Sequence, residues 1–100
     1  MPEVRCRIDR WVSDDPQPGL VEAQITDVHG HVWNFIDKSA IFSSDVLTET
    51  TEYPRPGVIR CEVIEGDVLP NGAAATLIST IEVESTEGER QFLVRADEVQ

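Results

Sequence analysis

Apolar and polar residues alternate one by one along most of this chain, which is the pattern of β-strands that bury one face. Near the N-terminus, Val4, Cys6 and Ile8 alternate with charged residues, and residues 21–26 repeat the pattern. No segment keeps a helical period over three turns. We therefore predict six strands, at residues 4–8, 21–26, 31–36, 58–64, 73–85 and 91–95.

Proline and glycine separate these strands, because proline supplies no N–H to a sheet and glycine accepts positive φ. The clearest corners are residues 14–19 and 54–57, and residues 27–30 form the tip of a hairpin. One short helical turn is predicted near residues 43–48, with Ser43 as its cap. The chain is thus predicted to be one all-β domain over residues 1–100, either a six-stranded barrel or a sandwich.

Charge narrows the range of functions. The 100 residues include 19 acidic and 8 basic side chains, and the net charge is −11. Such a field repels phosphate backbones and anionic membrane surfaces, and it attracts basic proteins. Residues 61–89 contain seven carboxylates and no positive charge. We therefore predict a protein partner of basic character, and neither a nucleic acid nor a membrane.

The leading functional prediction is a non-catalytic protein-interaction module with an acidic face. The carboxylates assigned to this face are Glu82, Glu84, Glu87 and Glu89. Trp11, which lies among charged residues, is predicted to be an anchor at the interface, since tryptophan provides a large contact area. One narrower version is an immunity-type inhibitor that neutralises a basic toxin or nuclease. No catalytic residue is predicted.

Two alternatives remain open. Arg5, Arg7 and Arg60 would bind an anionic small ligand if their two strands are adjacent, since guanidinium groups pair well with oxyanions. The ligand-binding barrel would then be a different class of protein from the interaction module. The third possibility is an accessory domain that forms a homo-oligomer by pairing of strand edges.

Other candidate chemistry is weak. Asp27, His29 and His31 are spaced at intervals of two, but Gly30 places them at a hairpin tip, so we expect turn residues and predict no metal or cofactor. Cys6 and Cys61 form no CxxC motif and are expected to be buried free thiols. No apolar run reaches the roughly 20 residues that cross a bilayer, and no signal peptide precedes the first strand, so the expected location is the cytoplasm.

Two resemblances bear on the fold. Residues 75–81 followed by residues 90–95 resemble the end of the third domain of elongation factor Tu, where an apolar strand leads through a turn to an Arg-x-Phe strand. That domain is a six-stranded barrel, so the resemblance implies a barrel and no activity. The whole chain is also similar to short uncharacterised bacterial proteins that begin Arg-Cys-Arg-Ile and contain Phe-Ile-Asp-Lys.

Overall fold

Six antiparallel strands form one curled sheet in the order β3-β2-β1-β4-β5-β6. The computed structural model describes residues 1–100. The strands are β1 (Glu3–Ser13), β2 (Leu20–Thr26), β3 (Val32–Lys38), β4 (Arg55–Val68), β5 (Ala74–Thr80) and β6 (Gln91–Arg95). The helical segments are α1 (Ser39–Phe42) and a 3-10 turn at Ala96–Glu98. The prediction of an all-β fold is confirmed.

Strand β4 belongs to both halves of the sheet. Its residues Arg55 to Arg60 pair with β1, whereas Cys61 to Val68 pair with β5. The sheet curls around this strand into a half-barrel. Loops close part of the open side, because the amide of Thr86 donates to the carbonyl of Asn34 in β3 at 2.7 Å.

The core lies on the concave face of the half-barrel. Alternate residues of every strand point into it, as the sequence alternation predicts, and Val4, Ile8 and Ile59 are fully buried. Phe35 of β3 meets Phe92 of β6 edge to face, with 5.6 Å between ring centroids. Each buried side chain of this size contributes about 1.5 to 3 kcal/mol to folding, so the core is the main source of stability.

The short helix occupies Ser39–Phe42, immediately before the predicted segment at 43–48. Phe42 is fully buried, and the amide of Ser39 donates to the carbonyl of Gly19 at 2.8 Å, so these two contacts fix the turn. Ser43 is the C-cap of the helix, and its Oγ accepts the amide of Asp45 at 3.0 Å. No helix in the chain has the length and apolar character needed to cross a membrane.

Strand β5 ends at Thr80, five residues before the predicted end at Ser85. Thr80 Oγ1 donates to the carbonyl of Val83 at 2.6 Å, which turns the chain away from the sheet. Ser85 Oγ then accepts the amide of Glu89 at 3.0 Å and holds a second turn. The segment with Glu82 and Glu84 is therefore a loop, because local side-chain hydrogen bonds replace strand pairing there.

Candidate functional site

The second half of β4 projects from the body of the protein. We call residues 62–68 the β4 arm; all seven are exposed. The arm pairs with β5 along one edge only. Pairing with β1 ends at Arg60, and the last bond on that side joins the amide of Cys61 to the carbonyl of Pro2 at 3.0 Å. From Glu62 onward the other edge of β4 has no neighbouring strand.

The two faces of the β4 arm differ in chemistry. Its three carboxylates stand opposite alternate residues of β5 and so share the convex face; they are Glu62, Glu65 and Asp67. None of the three forms an ion pair with an arginine or with Lys38. Val63 and Val68 lie on the concave face, and a bulge places Ile64 between Val63 and Glu65. These apolar side chains are 48% (Val63), 46% (Ile64) and 69% (Val68) exposed.

The predicted acidic face is partly neutralised by arginines. Glu82 accepts from Arg60 at 3.0 Å, and Glu84 lies 3.6 Å from Arg90. The carboxylate of Glu89 accepts the amides of Arg90 and Gln91, at 3.2 and 3.3 Å. Surface ion pairs of this kind contribute little to stability, but they place positive charge within the predicted face.

Glu87 is the fourth carboxylate of that predicted face, and like Glu89 it forms no ion pair. It lies in the turn that Ser85 holds, since its amide donates to Ser85 Oγ at 3.3 Å. The β4 arm, by contrast, has three carboxylates on one face without a paired cation. The stronger acidic surface is therefore the arm, which the sequence analysis did not single out.

Trp11, the predicted interface anchor, makes its contacts within the protein itself. Its indole N–H donates to Asp14 at 2.9 Å, and its ring covers Gly19 closely enough that any Cβ there would overlap it. The side chain also packs against the hydrophobic core. Trp11 thus holds the proline-rich corner between β1 and β2 against the sheet.

A cavity of about 810 Å³ opens where β1 and β2 separate. Pairing between these strands begins at Arg7 and Gln24, so the first residues of β1 are free of β2. Three arginines line the cavity, namely Arg5, Arg7 and Arg55. The single acidic side chain in its lining is that of Glu98. Its apolar part is formed by Cys6, Ile25, Phe42, Val58 and Val94.

The arginines predicted to act together are only partly brought together. Strands β1 and β4 are adjacent, with Arg5 opposite Val58 and Arg60 opposite Glu3. Arg60 is turned to Glu82 and does not line the cavity. Arg55, which the sequence analysis missed, takes its place in the lining. Its position between two prolines, in the corner just before the predicted strand at residues 58–64, was the available signal.

The cysteines lie in the core as free thiols. Burial raises the pKa of Cys6 to about 12. Burial and the nearby charge of Glu3 also raise the pKa of Cys61. Both thiols are therefore protonated near neutral pH, and Cys6 contributes an apolar surface to the cavity.

Asp27 organises the hairpin between β2 and β3. One carboxylate oxygen accepts the amides of His29 and His31, at 2.9 and 3.0 Å, and the other accepts the indole N–H of Trp33 at 2.9 Å. Burial alone would raise the pKa of Asp27, but these hydrogen bonds and the charge of His29 outweigh burial and lower it. Nowhere in the chain are three His, Cys, Asp or Glu side chains grouped so that they could hold a metal ion.

Neither family models, nor curated proteins, nor solved structures provide a match to this chain. Its function is therefore inferred from the geometry of the β4 arm.

Proposed function

We propose that this protein is a non-catalytic interaction module whose β4 arm binds an extended segment of a basic protein. The observation that carries this proposal is the free edge of β4, seven exposed residues long, beside three carboxylates without a paired cation. The partner segment adds a strand to the sheet, and its lysine or arginine side chains meet the acidic face.

The backbone of the β4 arm supplies the affinity for a strand. An exposed edge presents N–H and C=O groups that another chain completes by β-augmentation. The exposed side chains of Val63 and Val68 continue the concave apolar face beyond the core. A partner with alternating apolar and basic residues matches both faces of the arm, because successive side chains of a strand point to opposite sides.

Charge favours a basic partner over a second copy of this chain. Pairing two copies edge to edge would bring the carboxylates of Glu62, Glu65 and Asp67 near those of the other copy on the same face. Like charges opposite each other destabilise a sheet. The chain also carries a net charge of −11, which opposes self-association and steers basic proteins toward it.

The narrower version is an immunity-type inhibitor that covers a basic toxin or nuclease in a bacterial cytoplasm. Small acidic proteins suit this role because complementary charge accelerates association. The two buried free thiols fit a reducing compartment such as the cytoplasm. The partner that both versions share is a basic segment able to form a strand.

The test uses a fluorescent peptide of twelve residues that alternates valine and lysine. We expect binding at low salt that weakens at high salt, because exposed charges are screened. The same peptide N-methylated at every residue keeps every side chain and charge but has no N–H with which to pair with the edge. It should bind at least tenfold more weakly, and equal binding of the two peptides would contradict strand addition.

Matched variants locate the site. The triple variant Glu62→Gln, Glu65→Gln, Asp67→Asn should weaken binding about tenfold, since each charge contact contributes a few tenths to 1 kcal/mol. The control triple variant Glu49→Gln, Glu52→Gln, Glu87→Gln changes net charge equally and lies outside the arm, so it should bind almost as the natural protein does. If both triple variants lose the same affinity, net charge alone attracts the peptide.

Sedimentation of the free protein tests whether a second copy of the chain occupies the β4 arm. A stable dimer that dissociates in an arm variant would show that the partner is a second copy and not a basic protein.

A further inference from the structure

Hydrogen bonds at the tip of the hairpin show which residues of the β4 arm face its free edge. The amide of Leu69, just beyond the arm, donates to the carbonyl of Ala73 at 2.9 Å, on the side of β5. Neighbouring residues of an antiparallel strand direct their N–H and C=O groups to opposite edges, because hydrogen-bonded and non-hydrogen-bonded pairs alternate. Val68 and Gly66 therefore direct their backbone groups to the free edge.

Two amides of the arm are left open on this edge. The amide of Cys61 is bonded on the side of β1, and Val63, two residues further along, directs its backbone groups to the same side. Val68 differs, because the carboxylate of Asp67 accepts its amide at 2.8 Å. A partner strand can therefore accept hydrogen bonds from the amides of Val63 and Gly66.

Gly66 has no role that the fold explains. It has no positive φ, and nothing lies within 4 Å of the position that its Cβ would occupy. Gly57 of the same strand is different, since a Cβ there would lie 2.7 Å from the side chain of Ile8. Glycine weakens a strand, and within strands it often marks a place where another backbone approaches closely. Gly66 therefore keeps the arm bare at a position where a side chain would fit.

The missing side chain leaves a gap on the concave face of the arm. Val63, Gly66 and Val68 stand opposite alternate residues of β5, so the three share this face. The valines on the two sides of the gap are 48% (Val63) and 69% (Val68) exposed. An aromatic ring on a neighbouring strand can cover a glycine and bury the apolar side chains beside it, and this contact stabilises sheets that contain edge glycines.

We propose that the partner segment presents an aromatic side chain opposite Gly66, with its ring between Val63 and Val68. This inference rests on the proposed function, since it names a residue of the same partner segment. The carboxylates on the convex face select lysine or arginine, so the segment carries basic residues on one face and an aromatic residue on the other. Gly66 is then the residue of the arm that selects an aromatic side chain over an aliphatic one.

Fluorescence anisotropy tests the inference with two peptides. One is the twelve-residue valine–lysine peptide, and in the other a central valine is replaced by phenylalanine. We expect the phenylalanine peptide to bind about fivefold more tightly, since an aromatic side chain gains more from cross-strand contacts. Equal or weaker binding of the phenylalanine peptide would overturn this inference and leave strand addition standing. Absence of binding by both peptides would overturn both proposals.

The variant Gly66→Val fills the gap. It should raise the urea midpoint of the free protein, because glycine weakens a strand, so a loss of affinity would not reflect a loss of folding. The preference for phenylalanine over valine should fall from about fivefold to less than about twofold. The control Ser79→Val adds a valine on the convex face of β5, opposite Glu62, and should keep the preference. A preference that survives in Gly66→Val, or one that falls equally in Ser79→Val, would overturn the inference.

A second measurement needs no variant. The ring of the bound phenylalanine should shift the NMR signals of the Gly66 Hα atoms and of the methyl groups of Val63 and Val68, and the valine peptide should not. The methyl groups of Val21, which is fully buried, should keep their positions with both peptides. Ring-current shifts at Val32, an exposed residue of β3, in place of those in the arm would overturn the inference.

Discussion

The carboxylate of Asp27 accepts the indole N–H of Trp33 at 2.9 Å across the base of the hairpin between β2 and β3. Trp33 in turn packs edge to face on Phe92 of β6, with 5.3 Å between ring centroids. The amide of Val28 in the same hairpin donates to the carbonyl of Leu93 at 3.0 Å. These contacts therefore connect the β2–β3 hairpin, at one edge of the sheet, to β6 at the opposite edge.

Asp27→Asn should lower the free energy of unfolding at neutral pH by about 1 to 2 kcal/mol. The amide group keeps one acceptor oxygen but turns a second donor toward the indole N–H of Trp33. Asp67→Asn, at an exposed carboxylate outside the hairpin, is the control and should change stability by less than about 0.5 kcal/mol. Urea denaturation of the three proteins measures both changes.

The same carboxylate gives stability a defined pH dependence. The pKa of Asp27 is lowered in the folded protein from an ordinary value of 3.8, so its contribution is present above that value and is lost as pH falls below it. The gap between the natural protein and Asp27→Asn should therefore narrow on acidification below pH 3.8. An unchanged gap between pH 7 and pH 2.5 would show that the charge of Asp27 does not matter.

Gly19→Ala should be strongly destabilising. Gly19 has φ of +111°, and a Cβ on it would overlap the indole ring of Trp11. The expected loss is more than about 2 kcal/mol, since strain and a displaced tryptophan add together. Gly72→Ala is the matched control, because Gly72 also has positive φ, at +84°, but nothing lies near its Cβ position. Gly72→Ala should lower the free energy of unfolding by about 1 kcal/mol. Thermal or urea denaturation of both variants measures the two losses.

Both cysteines should resist alkylation in the native protein. Burial raises the pKa of Cys6 to about 12 and also raises that of Cys61, so at pH 8 neither presents the reactive thiolate. Mass spectrometry after iodoacetamide treatment should find no adduct without denaturant and two adducts in urea. Rapid modification of Cys6 in native protein would show that the cavity exposes its sulfur as a thiolate.

The same pKa shift predicts a loss of stability in alkali. An unfolded thiol has an ordinary pKa of 9.0, and the folded Cys6 has one near 12. Its contribution is complete below pH 9 and is lost as pH rises toward 12. Cys6→Ala should be less sensitive to pH over this interval, as chemical denaturation at several pH values would show.

A pair of valine substitutions separates the core from the β4 arm. Val21→Ala removes a fully buried side chain and should cost about 2 kcal/mol of folding free energy. Val68→Ala removes the same atoms from a residue that is 69% exposed and should cost less than about 0.5 kcal/mol. A large loss in Val68→Ala would mean that the arm is packed against something in solution.

Alternation of side chains was sufficient to locate all six strands, because burial of one face imposes a period of two. Strand ends were less predictable. The turn that ends β5 depends on Thr80 Oγ1 bonding the carbonyl of Val83, and β-branched residues on both sides continue the strand pattern. Such a bond between a side chain and the backbone leaves no periodic trace in the sequence.

The candidate site was predicted only in part, because it depends on which strands meet. Adjacency of β1 and β4 satisfies the condition placed on Arg5 and Arg60, and the register puts both on one face of the sheet, but the ion pair with Glu82 takes up the guanidinium of Arg60. The acidic composition of residues 61–89 was evident, whereas the pairing of Glu84 with Arg90 depends on a turn. Where pairing stops along β4 is a long-range property, so the free edge of the arm was not predicted.

The division of β4 between two sets of partners has a consequence for cooperativity. A domain assembled from two self-sufficient halves would lose one of them first on heating. Here, unfolding of either half leaves one section of β4 without its partner strand and exposes the shared core to water. The halves should therefore unfold in one transition, with the free end of β4 as the sole section able to fray beforehand.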